Sequence, residues 1–223
     1  MAESASGRAM TVPEEVIAER LSVVQQAIAS HGRSDTQIVA VTKGFDVSVI
    51  HATRRLGLTD VGENYAQEVI EKTPDFGEDQ TVHFMGRIQR NKVRKVCDVV
   101  DLWQSVARPE ILTEIAKRVD NARVLIQIQP EGDTSKDGVR PADLPAMFEL
   151  ADNLDVTIVG LMTIGVLNNP PATRACFAEV SSLADDYGVD IRSMGMSGDY
   201  RDALESGSNM LRLGSTLFGR RPT

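Results

Sequence analysis

Cysteine and histidine are scarce in this sequence of 223 residues: Cys97 and Cys176 are its only thiols, and His31, His51 and His83 its only imidazoles. Two thiols so far apart suit neither a disulfide framework nor a metal site. The histidines have no ligand spacing to one another or to a cysteine. No metal is therefore expected, and unpaired thiols fit a reducing compartment.

Long apolar runs are also missing. None is long enough to span a bilayer, and the opening MAESASGRAM lacks the apolar core of a signal peptide. A cytoplasmic protein that does not engage membranes is the expectation. No G-x-G-x-x-G or Walker A sequence occurs, which removes the usual phosphate loops of open nucleotide-binding sheets. A basic surplus is absent too: the net charge is −8, which argues against a nucleic-acid partner. The one basic cluster, Arg87, Arg90, Lys92, Arg94 and Lys95, reads as the wet face of a helix.

What is present is the composition of a single folded domain, with 42% hydrophobic and 25% charged residues. Residues 1–11 are small and polar and are expected to form a disordered tail. The barrel domain is expected over residues 12–223. Pro13 opens a helix whose apolar positions Val16, Ile17, Leu21, Val24 and Ile28 recur at helical spacing, with Gly32 just past its end. Eight short apolar runs follow: 38–43, 60–64, 82–86, 102–106, 123–129, 157–165, 190–197 and 210–214. Amphipathic stretches separate them at 47–56, 65–72, 89–96, 109–119, 142–150, 171–187 and 200–206. Eight strands alternating with helices predict an α/β fold with a parallel sheet closed into a single (β/α)8 barrel of the TIM type. A doubly wound open sheet is the alternative, but it usually has fewer strands and a nucleotide loop after the first.

In a barrel the chemistry sits at the C-terminal ends of the strands. Strand seven ends in Gly195-Met196-Ser197-Gly198, and strand eight in Arg212-Leu213-Gly214-Ser215-Thr216. Either run alone reads as ordinary turn and cap chemistry. Together they fall on the two loops where this fold commonly holds a phosphate, with glycines that let amides approach and hydroxyls that donate. Lys43 ends the first apolar run. A free lysine, with pKa near ~10.4, is protonated and not nucleophilic at neutral pH. Partial burial or nearby cations would free its amine for a Schiff base. Arg212, between two leucines of a strand, alternates to the opposite face and needs a partner there. Glu63 is one candidate, and a ring nitrogen of a ligand is the other. Lysine, arginine and a phosphate site together suit a phosphorylated aldehyde. Pyridoxal 5′-phosphate (PLP) is the commonest such cofactor, and a phosphorylated sugar meets the same requirements.

Six segments carry a further resemblance: Ile38-Val-Ala-Val-Thr-Lys43, Val61-Gly-Glu-Asn64 with Gln67-Glu68, His83-Phe-Met-Gly86 with Asn91-Lys92, Gly160-Leu-Met-Thr163, Ser193-Met-Gly-Met-Ser197, and Leu211-Arg-Leu-Gly214 through Phe218-Gly219. In this order they resemble the pyridoxal phosphate homeostasis protein family, also called YggS/PROSC. The resemblance implies a single barrel like the N-terminal domain of alanine racemases. It implies PLP held as an internal aldimine on Lys43. Ser197, Gly214, Ser215 and Thr216 would hold the phosphate, with Gly198 adjoining, and Arg212 would face the pyridine nitrogen. Asn64, His83 and Met162 would line the ring. Gly44 and Gly198 depart from the residues many members carry there.

An arginine at the pyridine nitrogen can only donate, which leaves the ring a weaker electron sink. A racemase also needs a second acid–base group on the far face of the substrate. Alanine racemases take a tyrosine from an extra C-terminal domain, and this sequence, ending at Thr223, is expected to lack it. Tyr65, Tyr187 and Tyr200 are expected to pack helices. The expectation is a monomeric PLP carrier of intracellular PLP homeostasis, without robust catalysis and with PLP-dependent apo-enzymes as its partners. A PLP-dependent amino-acid racemase is the alternative.

Overall fold

The computed structural model describes residues 11–129 and 137–220. The tail expected to be disordered lies outside the described residues except for Thr11. Pro13 precedes α1 (Glu14–Ser30), which buries Ile17, Leu21, Val24 and Ile28 along one face as the helical period requires. Val16 is only half-buried.

Strands and helices then alternate: β1 (Gln37–Val41), α2 (Ser48–Arg55), β2 (Asp60–Glu63), α3 (Ala66–Lys72), β3 (Thr81–Phe84), α4 (Arg90–Val96), β4 (Leu102–Val106), α5 (Pro109–Ala116), β5 (Ala122–Gln127), α6 (Leu144–Asn153), β6 (Val156–Met162), α7 (Pro170–Asp186), β7 (Ile191–Ser193), α8 (Tyr200–Glu205), β8 (Met210–Leu213) and α9 (Ser215–Phe218). The strands form a closed parallel barrel in sequence order. Closure is made by β1 against β8, with Ile38 opposite Leu211 and Ala40 opposite Leu213. The open-sheet alternative is thereby excluded.

Strand alternation divides the apolar side chains into two sets. Val39, Val41, Met85, Leu102, Leu125, Met162 and Met210 fill the barrel interior. Ile38, Ala40, Leu211 and Leu213 belong to the larger core between the strands and the helices. On α4, Val93 and Val96 are buried while Arg90, Arg94 and Lys95 face solvent. The basic cluster is the wet face of that helix, joined by exposed Arg87.

Several strands stop short of their apolar runs. β1 ends at Val41 rather than Lys43, β6 at Met162 rather than Gly165, and β7 at Ser193 rather than Ser197. The apolar pattern continues because Ile164 and Met196 line a cavity at the barrel mouth. Burial there comes from the cavity wall, not from a sheet ladder. After Gly214 the chain turns into the four-residue α9. It packs on α1, where Arg20 Nη1 donates to Leu217 O at 3.0 Å.

Candidate functional site

The C-terminal strand ends surround a cavity of about 360 Å³. Lys43, Asn64, Met162, Ser197, Gly198, Arg212, Gly214 and Ser215 all line it. Residues from five separate regions of the sequence are thus brought to one place. Thr216 does not line the cavity, but its backbone N–H donates to Ser197 Oγ at 3.0 Å. That contact ties the loop after β7 to the start of α9 and leaves the Ser197 hydroxyl proton available. His83 does not reach the cavity. It is 1% exposed within the barrel, with Nε2 2.9 Å from Asp60 Oδ1 and Nδ1 2.6 Å from Gln104 Nε2.

Lys43 sits in the turn that leaves β1, half-buried. It follows Val39 and Val41 at every second position, which directs it to the barrel side of the wall. Both neighbours are clamped from the opposite side. Thr42 donates from Oγ1 to Glu63 Oε1 at 2.6 Å, and its carbonyl accepts from Lys72 Nζ at 2.8 Å. Gly44, with φ +73°, donates its N–H to Glu68 Oε2 at 2.7 Å. Lys72 also pairs with Glu63 at 2.7 Å and Glu68 at 2.8 Å. Burial, the strongest influence on Glu63, pushes its carboxyl above the ordinary range against the opposing effect of Lys72.

Arg212 is 4% exposed, and its partners correct one expectation. Glu63 is not among them, because it points to the helix layer while Gly62 and Asn64 take the inner face. The guanidinium instead donates to neutral acceptors. Nη1 reaches Ser193 O at 2.6 Å and Ser193 Oγ at 2.7 Å, and Nη2 reaches Thr163 O at 2.7 Å. Desolvation pulls its pKa down to about 10, opposed by the charge of Asp199. It is still cationic at neutral pH.

Val41, Met85 and Met162 give the cavity an apolar lining beside its polar groups. Asn64 Oδ1 is buried without a hydrogen-bond partner among the described residues, which is costly unless a ligand satisfies it. A Cβ added at Gly198 would meet nothing within 4 Å, so the loop beside Ser197 leaves open space. A donor set of amine, guanidinium, hydroxyls and glycine amides around an apolar wall suits a flat ring bearing an aldehyde and a phosphate.

The sequence analysis gave no site role to Gln104, Ser193, Lys72 or Glu68, although Ser193 and Glu68 lie in segments that carry the resemblance. The pair on α3 had a signal in its i, i+4 spacing. Gln104 had the same signal as Arg212, a polar residue inside an apolar strand. Cys176 is buried, with Sγ 3.3 Å from Thr163 Oγ1. Among the described residues no group of three or more histidine, cysteine, aspartate or glutamate residues could hold a metal, and no helix is long and apolar enough to cross a membrane.

Comparison with known proteins gives the family and the fold. The family described as "Alanine racemase, N-terminal domain" matches residues 15–222. A pyridoxal phosphate homeostasis protein of Vibrio cholerae is 34% identical over 93% of this chain and 94% of its own. The structure of PipY from Synechococcus elongatus with PLP bound superposes with TM-score 0.80 and 31% identity, covering 91% of this chain and all of PipY. Alanine racemase from Corynebacterium glutamicum shares the fold, with TM-score 0.75 at 17% identity over 95% of this chain and 62% of its own.

Proposed function

Because the chain belongs to the pyridoxal phosphate homeostasis protein family, built on the alanine racemase N-terminal domain, we propose that it binds PLP in the cavity at the barrel mouth and serves intracellular PLP homeostasis. The observation that carries this reading is the convergence of Lys43, Arg212, Ser197, Gly214 and Ser215 on one cavity. When bound, the cofactor supplies an aldehyde carbon open to amines and a ring that can draw electrons from Cα.

Lys43 Nζ would be the amine that holds the aldehyde. Ser197 would donate its hydroxyl to the phosphate, the backbone of Gly198, Gly214 and Ser215 would complete that cradle, and Thr216 would support it through its N–H to Ser197 Oγ. Asn64 and Met162 flank the ring. Arg212 would face the pyridine nitrogen, to which a guanidinium can only donate, and the bound ring would then supply a weaker electron sink.

Two further arguments favour a carrier over a racemase. Lining the cavity are lysine and arginine but no tyrosine among the described residues. Tyr187 stacks on Phe148 with ring centroids 4.6 Å apart, Tyr200 is 9% exposed in the core, and Tyr65 is 55% exposed on the surface. A two-base proton transfer therefore has its lysine but not its second group. The protein works in the cytoplasm as a monomer and passes its cofactor to PLP-dependent apo-enzymes. Cys97 and Cys176 are in no disulfide, which suits that compartment.

Titration with PLP followed by deuterium exchange tests the reading. A visible absorption band should saturate at one equivalent, and Cα of added alanine should gain no deuterium beyond stoichiometry. Catalytic exchange would replace the carrier by a racemase, and no band would remove both.

A further inference from the structure

Arg212 does not stand alone in the barrel interior. Its Nη1 donates to Ser193 Oγ at 2.7 Å. Ser193 Oγ donates to Gln104 Oε1 at 2.7 Å, and Gln104 Nε2 lies 2.6 Å from His83 Nδ1. His83 Nε2 lies 2.9 Å from Asp60 Oδ1. The links come from β8, β7, β4, β3 and β2 and cross the barrel from the cavity to the N-terminal end of β2, where Asp60 is its first residue. Arg212, Ser193, Gln104 and His83 are buried, and the Asp60 side chain is 14% exposed.

The direction of every link follows from its two ends. A carboxylate only accepts, so His83 Nε2 must carry the proton it gives to Asp60. An amide nitrogen only donates, so His83 Nδ1 accepts from Gln104. Gln104 then presents Oε1 to Ser193, whose hydroxyl proton is used there, and a Ser193 lone pair is left for Arg212. Each bond donates the same way, from the cation at the cavity to the anion at the far end. Buried networks of this kind are strongly specified when every member is satisfied.

We propose that Gln104, His83 and Asp60 are positioning residues for Arg212, with Asp60 setting the polarity of the whole chain. This rests on the reading of Arg212 as the partner of the pyridine nitrogen. With Asp60 ionised, Ser193 offers an acceptor, the guanidinium is fixed at Ser193 and Thr163, and its remaining N–H groups face the cavity. Without that carboxylate either tautomer of His83 and either rotation of the Gln104 amide is allowed. Ser193 Oγ is then no longer a fixed acceptor for Arg212, which keeps only the carbonyls of Ser193 and Thr163.

The variants Asp60→Asn and Gln104→Leu test this, read by NMR in two states. In the cofactor-free protein, the Arg212 guanidinium protons should exchange with water about tenfold faster or more than in wild type, equivalent to losing roughly one hydrogen bond. In protein loaded with ring-¹⁵N PLP, the pyridine nitrogen signal should move from the unprotonated toward the protonated position. Asp60→Glu, which keeps the carboxylate, should retain both wild-type signals. Gln104→Leu removes buried bonds and can unfold the barrel, whereas Asp60→Asn keeps the shape at the barrel end and decides the matter. Wild-type signals in both states of folded Asp60→Asn overturn the proposal. If wild-type protein fails to take up PLP while the cofactor-free Arg212 signals still respond, the function reading fails and the positioning chain stands.

Discussion

Lys72 Nζ lies 2.8 Å from the carbonyl oxygen of Thr42, the residue immediately before Lys43. The amine of one lysine thus fixes the backbone that carries the other. The same Nζ pairs with Glu63 at 2.7 Å, and both side chains are almost fully buried. A buried charge that loses its partner is costly, whereas replacing both partners by apolar groups is often tolerated.

Lys72→Met is therefore expected to lower folding stability by about 3–5 kcal/mol, because it strands Glu63. Combining it with Glu63→Leu should recover most of that loss. Urea denaturation of the two variants checks this. A single-variant loss below about 1 kcal/mol, the range of exposed pairs, contradicts a dry ion pair.

Asp60 gives a pH dependence with a definite sign. Burial is the largest influence on it and acts upward, but hydrogen bonds from His83 and Thr59 oppose it, and the carboxyl is held below its ordinary value. Its contribution to stability is complete above the unfolded value near about 4. It drains away as pH falls through the lower folded value. The difference in urea midpoint between wild type and Asp60→Asn should be largest near neutrality and shrink below about pH 4. A difference that grows on acidification contradicts the sign.

Ser197→Ala should weaken PLP retention by about 1–3 kcal/mol, the usual loss for a donor to a charged group. Equilibrium dialysis against free cofactor measures it. Unchanged retention would move the phosphate to another part of the cavity.

The end of β3 approaches the end of β2 so closely that a Cβ at Gly86 would stand 1.8 Å from Asn64 O. Gly86→Ala should cost about 1–3 kcal/mol of stability by overpacking and should also reduce PLP retention by displacing Asn64. Gly198→Ala, where the added atom meets nothing within 4 Å, should change folding stability by less than about 1 kcal/mol. Thermal denaturation of the pair separates the two cases, and equal effects would contradict the close approach at Asn64.

The barrel was legible because a strand such as Leu102–Val106 is buried on both faces and writes a short, largely apolar run between amphipathic helices. The strand ends were harder. Ile164 and Met196 continue the apolar pattern while lining a cavity, and periodicity alone does not separate the two environments. Within the site, Lys43, Ser197, Gly214 and Arg212 were visible through their position at strand ends. The hidden parts are those whose meaning depends on parity across strands. Glu63 and Asn64 are adjacent in sequence but face opposite sides of the wall. Gln104, Ser193 and His83 lie on three strands, and only barrel closure brings them into line with Arg212.

Borohydride reduction of the PLP-loaded protein, followed by peptide mass spectrometry, tests the central claim most directly. The account predicts a stable pyridoxyl group on the peptide containing Lys43, and none on that peptide in Lys43→Ala. A pyridoxyl group found on a different lysine, with the Lys43 peptide unmodified in fully loaded protein, would contradict it.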